Sequence, residues 1–283
     1  MLDSAITSQL MLNKAVIFDW LAAKGLRVPR RQKFDLGSLD LAEAFLRENN
    51  GPVVVKPADG TGCGHGVTTR ITDRYGLLKA ARHAAAFHTE LLVEDQLDGA
   101  SYRLLFLDGE FIDAVRRDPP AVTGNGRSSI RQLVAAENER RRSSDAITAL
   151  SPLMIDLECR NTLSARGLSP ATVPAAGLEV MVKLAVNENS AAQNHLVRED
   201  VHPEIVETGS RIVRDFGVGF AGLDVTATDI SRPLSEGGTI FNEINAGPGI
   251  HHHYLVSDQN RIANVAPRIL EHLFSTRRGV MEI

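Results

Sequence analysis

The sequence predicts an α+β protein, because strand and helix patterns mix along it without the regular βαβ alternation of a doubly wound sheet. Three observations support this class. A β-branched strand over 52–57 leads directly into a loop rich in glycine. Asp108-Gly109 separates two runs of alternating apolar residues, which is the strongest short-range signal for a β-hairpin. Two more strand patterns, at 221–228 and 239–245, follow a helical pattern near the carboxyl end.

Candidate caps and breakers delimit the helices. Asn13 is a candidate N-cap for a helix over 13–24, which Gly25 ends, and Ser38 and Asp73 are candidate caps for the next two helices. Residues 143–175 are predicted to be loop-rich and free of helix. The remaining predicted helices cover 39–48, 73–88, 128–142, 203–216 and 258–274, and the remaining strands cover 90–97, 101–107, 110–117 and 178–185.

The composition is that of an ordinary globular chain. The 283 residues are 43% hydrophobic and 23% charged, with a formal net charge of −4. That charge provides no bulk attraction to nucleic acid or anionic lipid, and no apolar run approaches the roughly 20 residues that span a bilayer. Two cysteines, Cys63 and Cys159, make no disulfide framework. We therefore expect a cytoplasmic protein with neither nucleic acid nor membrane as partner.

The first candidate site is Lys56, at the end of the strand over 52–57. Glycines allow backbone N–H groups to approach phosphate oxygens, and a lysine neutralises their charge. The spacing fits neither a Walker loop nor a Rossmann turn. The alternative interpretation is a mobile surface hairpin with a solvated lysine. The glycines of the loop that follows Lys56 are Gly60, Gly62, Gly64 and Gly66.

The second candidate site is acidic. Glu243 and Asn245 are two residues apart in one predicted strand and so share a face, and Asp224 lies in the preceding strand. Carboxylate and amide oxygens are ligands suited to Mg²⁺ shared with a polyphosphate. The alternative is a pair of salt-bridged core acids.

The third candidate is a set of cations in the middle of the chain, Arg103, Arg117 and Lys183, which would clamp phosphoryl charge if they converged. Because side chains alternate across a strand, only one of Arg116 and Arg117 can face inward.

Two further clusters each allow two interpretations. His251-His252-His253 could bind a transition metal or relay a proton; the favoured interpretation is a turn that exposes three polar rings, one of which contacts substrate. The run Arg140-Arg141-Arg142 is interpreted as a solvated helix end, with an anion site as the alternative.

Taken in their order along the chain, these predicted elements and candidate site residues resemble an ATP-grasp ligase. Within that superfamily they resemble the central domain of cyanophycin synthetase. The resemblance covers roughly residues 11–255 and depends on the combined pattern. The matching stretches are PVVVKPADGTGCGHGVT, LLVEDQLDGASYRLLFLDGE, RRDPPAVTGNGRSSIRQLV, VPAAGLEVMVKLAVN, AGLDVTATDISRPL and IFNEINAGPG.

The resemblance implies two α+β lobes that grip ATP between their sheets. By position, Lys14 and Lys56 would contact the phosphates beneath the glycine loop 60–66, and Asp224, Glu243 and Asn245 would carry Mg²⁺ or Mn²⁺. Arg117 and Lys183 would act on the transferred phosphoryl group. The hinge that meets adenine would be Glu94, Asp95, Gln96 and Leu97, and the acyl-substrate side would include Arg103, Asn187, Ser190, His251 and His253.

Departures from the family pattern lie on the substrate side. Ser101 stands where the family usually carries an acid for the ribose. The substrate loop reads VNENSAAQ, which keeps Asn187 and Ser190 but not the glycines. His251 replaces an arginine. We therefore expect an intact site for ATP and metal, combined with a substrate that differs from that of cyanophycin synthetase.

The lobes are predicted to divide after residue 97, with residues 1–97 as the smaller lobe carrying the phosphate loop and 98–283 as the larger lobe carrying the metal site. The usual N-terminal domain of ATP-grasp enzymes is expected to be absent. Either a second copy of the chain or a partner protein would then complete the substrate site, or the acyl substrate would itself be carried by another protein.

The activity that the resemblance implies is an ATP-dependent ligase that joins a carboxylate to an amine through an acyl-phosphate. Its expected substrates are small carboxylates and amines, either amino acids or a peptide. The alternatives are a phosphotransferase on the same scaffold and a non-catalytic ATP-binding subunit.

Overall fold

The computed structural model describes residues 3–11, 13–58, 65–143, 151–261 and 264–276. No helix among these residues is long and apolar enough to cross a membrane. The helices, in chain order, are α1 (Ala5–Met11), α2 (Lys14–Ala23), α3 (Leu39–Glu48), α4 (Arg74–Ala85), α5 (Ile130–Arg142), α6 (Leu157–Ser164), α7 (Pro203–Asp215) and α8 (Val265–Thr276). The strands are β1 (Arg31–Phe34), β2 (Val53–Pro57), β3 (Thr68–Ile71), β4 (Leu91–Asp95), β5 (Ala100–Leu107), β6 (Glu110–Arg117), β7 (Ala121–Thr123), β8 (Glu179–Met181), β9 (Asn194–Leu196), β10 (Phe220–Ala227) and β11 (Ile240–Ala246).

Backbone contacts divide the chain into two compact units, each assembled from separate segments. Unit 1 consists of Met1–Val28, Asp98–Arg117 and Ala191–Ile283, and unit 2 of Pro29–Leu97 and Asp118–Ser190. The predicted division after residue 97 is one point where the chain passes between units, but it also passes after residues 28, 117 and 190. Pairing of the central hairpin with much later strands causes this interleaving, and adjacency in sequence does not reveal it.

Unit 1 contains a five-stranded antiparallel sheet in the order β11-β10-β5-β6-β9. The β5–β6 hairpin is confirmed. Its turn residues, Asp108 with φ +47° and Gly109 with φ +78°, are both in the left-handed region that a tight two-residue turn requires.

One face of this sheet is apolar and forms the core of unit 1. Leu104 and Phe106 of β5 and Leu223 of β10 pack with Phe18 of α2 and Ile212 of α7, and all five side chains are buried. Since side chains alternate along a strand, the intervening residues of the same strands project from the opposite face, which carries most of the charged groups described below.

Unit 2 contains a four-stranded antiparallel sheet in the order β1-β4-β2-β3 and a two-stranded sheet, β7-β8. Val55 of β2 and Leu91 of β4 pack with Leu77 of α4 in the first apolar cluster. Ile130 of α5 and Leu163 of α6 belong to a second cluster, around the small sheet.

Two of the three predicted caps are confirmed. Asn13 Oδ1 accepts a hydrogen bond from the Val16 backbone N–H at 3.2 Å, and Asp73 Oδ1 accepts one from Gly76 at 2.7 Å. Ser38 precedes α3 but makes no side-chain cap hydrogen bond, because its hydroxyl donates to Asp35 Oδ1 at 2.7 Å.

Three sequence-based boundaries are wrong. The stretch 143–175 is not free of helix, since α6 covers Leu157–Ser164 and is capped by Asp156. Its buried face includes Glu158 and Thr162, so the apolar periodicity that would predict a helix is absent. The last helix starts at Val265, because residues 259–261 form a separate 3₁₀ turn, and the predicted strand over 178–185 is limited to β8.

Two helical glycines give a test of packing in the core of unit 1. A Cβ at Gly209 of α7 would lie 2.6 Å from Phe106 Cζ, whereas one at Gly76 of α4 would meet its nearest atom at 3.4 Å. We expect Gly209→Ala to destabilise the protein by about 1–3 kcal/mol through overpacking. Gly76→Ala is the matched control and should be neutral or stabilising by about 0.5 kcal/mol. Urea unfolding measures the free energy of unfolding of both variants. A Gly209→Ala variant with the free energy of unfolding of the wild type would contradict the tight packing of position 209 against Phe106.

Candidate functional site

Two carboxylates lie opposite each other on the polar face of the unit 1 sheet. Asp224 of β10 pairs in register with Glu243 of β11, and Gly222 pairs with Asn245. Directly opposed residues share a face, and so do residues two apart. The sheet therefore brings the predicted metal set, Asp224, Glu243 and Asn245, to one face.

Each carboxylate has a cation from its own unit. Arg103 pairs in register with Asp224 and donates from both Nε and Nη2 to its two oxygens, with 3.0 Å between Nη2 and Oδ2. Lys14 Nζ donates to Glu243 Oε1 at 3.1 Å. Burial disfavours the guanidinium charge, but attraction to Asp224 outweighs it and raises the pKa of Arg103. The salt-bridged interpretation of these acids is therefore correct for their present contacts.

Ion pairing does not remove these acids from reach, since the side chains of Asp224 and Glu243 are 20% and 30% exposed. Asn245 donates from Nδ2 to Gly222 O at 3.3 Å, a bond that uses the amide nitrogen and not the amide oxygen. Two carboxylates and an amide oxygen fit a hard cation such as Mg²⁺, which typically takes one or two carboxylates together with substrate phosphates. No group of three or more His, Cys, Asp or Glu within the described ranges is arranged to hold a metal, and the candidate set contributes two carboxylates and one amide.

The strand register also separates the two neighbouring arginines. Arg117 pairs with Ser101 and with Asn194, on the face that carries Arg103. Arg116 pairs with Tyr102, which belongs to the apolar core on the other face. Arg117, which is 4% exposed, is thus the one of the two that shares the face of the acids, as the alternation rule requires.

The three histidines form a 3₁₀ turn in which the rings have different surroundings. His253 is fully buried, and its Nδ1 lies 2.7 Å from Oδ2 of Asp113, a buried acid on β6. The expectation of three exposed rings is therefore wrong. The rings of His251 and His252 are in contact, with their centroids 3.9 Å apart.

Burial and neighbouring cations keep two of these rings neutral. Burial, followed by the charge of Arg117, strongly lowers the pKa of His252. The same two causes, with a further contribution from Arg103, lower the pKa of His251. The charges of the arginines on the polar face therefore act on both rings. A transition-metal site in this run is not supported by the part of the chain that the structure describes.

In unit 2, Lys56 is held by a hinge acid. Its Nζ lies 2.6 Å from Glu94 Oε1, and both side chains are largely buried. The other oxygen of Glu94, Oε2, is buried without a hydrogen-bond partner among the described residues, which fits a site for a ligand donor. The solvated-lysine interpretation is wrong. Gly60, Gly62 and Gly64 lie outside the described residues, and Gly66 has φ +78°.

The other hinge residues have structural partners. Asp95 forms an ion pair with Arg30 at 3.2 Å, and Gln96 Oε1 accepts from the Arg70 backbone N–H at 2.7 Å. Leu97 is half-buried. The side chains of Asp95 and Gln96 therefore have contacts within unit 2.

Lys183 lies in a pocket of unit 2 with an excess of acids. The side chain is 3% exposed, and its Nζ lies 2.7 Å from Asp156 Oδ2 and 2.6 Å from Glu188 Oε1. Asn187 lines the same pocket, whereas Ser190 is buried and is not among the residues that line it. Sequence reasoning missed both acids: Asp156 is 27 residues from Lys183, and Glu188, five residues away, forms no recognisable motif with it.

Glu158 is another buried group that the sequence did not predict. Its oxygens accept from the backbone N–H and hydroxyl of Thr69, both at 2.7 Å, and from the Leu184 N–H at 3.2 Å. It thereby fixes β3, which follows the glycine loop, to the segment after Lys183. No signal could have found it, since α6 itself was not predicted. Asp113 could have been found as a single acid among the apolar residues of its strand.

The arginine run has mainly structural roles. Arg140 and Arg142 pair with Glu137 and Glu139 on their own helix. Arg141 is buried, contacts Glu137, and donates from Nη1 to Glu188 O at 3.0 Å. The interpretation as a solvated helix end is therefore correct for Arg140 and Arg142 and wrong for Arg141.

The comparisons with known proteins agree with the resemblance. No family model matches the sequence. The chain is 32% identical over 260 residues to the cyanophycin synthetase of Trichormus variabilis, which covers 92% of this chain and 28% of that protein. A bifunctional glutathione synthetase from Pasteurella multocida has a TM-score of 0.55 and 24% identity, covering 98% of this chain and 37% of that one. The ATP-grasp ligase PsnB, in complex with a minimal precursor, has a TM-score of 0.54 and 15% identity, covering 96% and 62%. The predicted fold class is confirmed, and the chain spans less than a third of the length of the cyanophycin synthetase.

The charge balance around Lys183 can be tested by its removal. Lys183→Met would leave Asp156 and Glu188 facing each other without a cation, so we expect a loss of about 3 kcal/mol in the free energy of unfolding. Lys33→Met is the matched control, because Lys33 is 50% exposed and pairs with the exposed Glu90, and it should cost less than about 1 kcal/mol. Denaturant titration measures the free energy of unfolding of both variants. Equal losses would contradict the claim that Lys183 compensates the charge of Asp156 and Glu188.

Proposed function

We propose that this chain, which has the ATP-grasp fold, is an ATP-dependent ligase that joins a carboxylate to an amine through an acyl-phosphate. The observation that supports this most strongly is the opposed pair Asp224 and Glu243 on a sheet face that also carries Arg103 and Arg117. Acids that can hold a divalent ion, next to buried guanidinium groups, suit the positioning of phosphoryl charge.

Asp224, Glu243 and Asn245 would hold Mg²⁺ or Mn²⁺, which when bound neutralises phosphate charge. Lys14 and Lys56 would bind the nucleotide phosphates, and Gly60, Gly62, Gly64 and Gly66 would let backbone N–H groups approach them. Glu94, with Asp95, Gln96 and Leu97 beside it, would bound the adenine, and Ser101 would lie towards the ribose. For each of these lysines, phosphate oxygens would replace or join the present carboxylate partner.

The chain's own residues would then support two steps. Arg117 and Lys183 would stabilise charge on the phosphoryl group while the substrate carboxylate attacks the γ-phosphorus. The acyl-phosphate would next react with the amine, with the substrates held by Arg103, Asn187, Ser190, His251 and His253. No side-chain nucleophile is needed, and burial raises the pKa of Cys159 to about 11, which makes that thiol a poor nucleophile.

Small carboxylates and amines, as amino acids or a peptide, are the proposed substrates. The unusual loop around Asn187 and the histidines after Pro248 support a specificity that differs from that of the cyanophycin synthetases. Completion of the site by a second copy or a partner protein stays a prediction, as does the cytoplasm as the compartment.

The metal assignment predicts a loss of nucleotide turnover. We expect Asp224→Asn and Glu243→Gln each to reduce substrate-dependent ADP release by at least ~100-fold, since even residues behind metal ligands contribute 10–100-fold. Glu271→Gln, at an exposed position on α8, is the matched acid-to-amide control and should keep wild-type turnover. Coupled spectrophotometric detection of ADP measures all three. Turnover that survives in both site variants would contradict the assignment.

The products distinguish the proposed ligase from its alternatives. A ligase releases ADP and free phosphate only when acid and amine are both supplied, as phosphate assays and mass spectrometry of the product can show. Phosphate retained on the product would indicate a phosphotransferase. A binding subunit would show no turnover with any substrate pair.

A further inference from the structure

Two imidazole nitrogens in the histidine turn are buried and lack a partner. Among the residues that the structure describes, neither His252 Nδ1 nor His253 Nε2 makes a hydrogen bond. Leaving a buried polar nitrogen without a partner costs free energy. Such a cost next to the arginines of the polar face indicates that these nitrogens serve a ligand.

The turn that carries these rings is held firmly. Asp113 fixes His253 through Nδ1, and the His253 backbone N–H donates to Ile250 O at 3.0 Å. The Leu255 N–H donates to His251 O at 2.8 Å. The ring of His252 is thus attached to a fixed backbone and rests against the ring of His251.

The charged surroundings of His252 favour its neutral form with a free lone pair. The permanent charges that lower the pKa of His252 are the guanidinium groups of Arg117 and Arg103, and a second positive charge near them is unfavourable. Guanidinium groups donate hydrogen bonds and cannot accept them, so an accepting nitrogen suits this position. The titratable and charged groups around the turn are Arg117 and Asp113 on β6, Arg103 on β5, His195 on β9, and His251 and His253 in the turn itself.

The proposed ligase needs such a group in its second step. An α-amino group has a pKa of about 8, so at neutral pH most of it is ammonium, which has no lone pair with which to attack. As the carbon–nitrogen bond forms, the carbon–oxygen bond to phosphate breaks and phosphate leaves with that electron pair. After the bond has formed, the new amide nitrogen releases one proton to solvent, whereas the first proton, which the ammonium must lose before it can attack, needs an acceptor in the site.

We propose that His252 is a catalytic residue that accepts this proton from the attacking amine, and that the His253–Asp113 pair is a positioning element that holds the turn. The proposal rests on the proposed ligase activity. An anionic phosphoryl group bound at Arg117 would offset the charge of the arginine, so His252 would become more basic when the acyl-phosphate is in place. The proton acceptor would thus be active only after the first step.

Hydroxylamine separates the two steps experimentally, because it is largely uncharged at neutral pH and traps acyl-phosphates as hydroxamates without a base. The acid donors are the standard amino acids in a mixture, assayed with hydroxylamine for hydroxamate and without it for amine-dependent phosphate release. The proteins are the wild-type chain, His252→Gln, His252→Asn and the control His83→Gln. His83 lies on α4 with its ring against Phe87, outside the proposed machinery.

We expect His252→Gln to keep at least about half of the wild-type hydroxamate rate and to lose about 100-fold in amine-dependent phosphate release at pH 7, the size of general-base contributions. The loss should shrink at pH 9, since the amine is then already deprotonated in solution. His83→Gln should match the wild type in both assays.

A failed proposal can be told apart from a failed ligase function. Wild-type protein that forms no hydroxamate overturns both. Wild-type protein that forms hydroxamate, with His252→Gln equal to it in phosphate release, overturns the role of His252 alone. Loss of hydroxamate in both His252 variants, to the same extent as phosphate release, also overturns that role, because the residue would then act in both steps or only in structure.

Discussion

Charge compensation across the polar face of the five-stranded sheet is the constraint on which the rest of unit 1 depends. The other face of the same strands is occupied by the apolar core, so the acids at 224 and 243 cannot turn away from their neighbours. Partly buried carboxylates require cations, and Arg103 and Lys14 provide them from the adjacent strand and from α2. Because the cations come from elements far apart in sequence, the site exists only when unit 1 is folded.

Charge compensation also constrains unit 2. Lys56 and Lys183, the two cations proposed to meet phosphate there, are each paired with carboxylates at 2.6–2.7 Å. An anion approaching either lysine competes with these acids, so the proposed binding of nucleotide would be an exchange of partners, weaker than the bare attraction between ammonium and phosphate. Lys183 has two such competitors, and its environment is the more acidic of the two.

Local chemistry explains which parts of the fold could be predicted. The Asp108-Gly109 hairpin and the caps at Asn13 and Asp73 depend on contacts within a few residues, and the sequence predicts them correctly. The helix α6 could not be predicted, since Glu158 on its buried face is stabilised by Thr69, which is distant in the chain. The strand β1 was missed because Arg31–Phe34 has little apolar alternation and depends on pairing with β4.

For the candidate site, period-two spacing predicted that Glu243 and Asn245 share a face, and Asp224, in the preceding predicted strand, was grouped with them as a further oxygen ligand. Spacing could not predict that Arg103 and Lys14 are their partners, nor that His253 turns into the core towards Asp113. These contacts depend on strand register, which is fixed by the folded hairpin.

The most direct test of the central claim is a crystal structure of the chain with a non-hydrolysable ATP analogue and Mn²⁺, in which anomalous scattering locates the ion. We expect the Mn²⁺ peak within direct bonding distance of oxygens from both Asp224 and Glu243, with phosphate oxygens completing its coordination. A peak elsewhere, or both carboxylates still paired only with Arg103 and Lys14 while nucleotide is bound, would contradict the account.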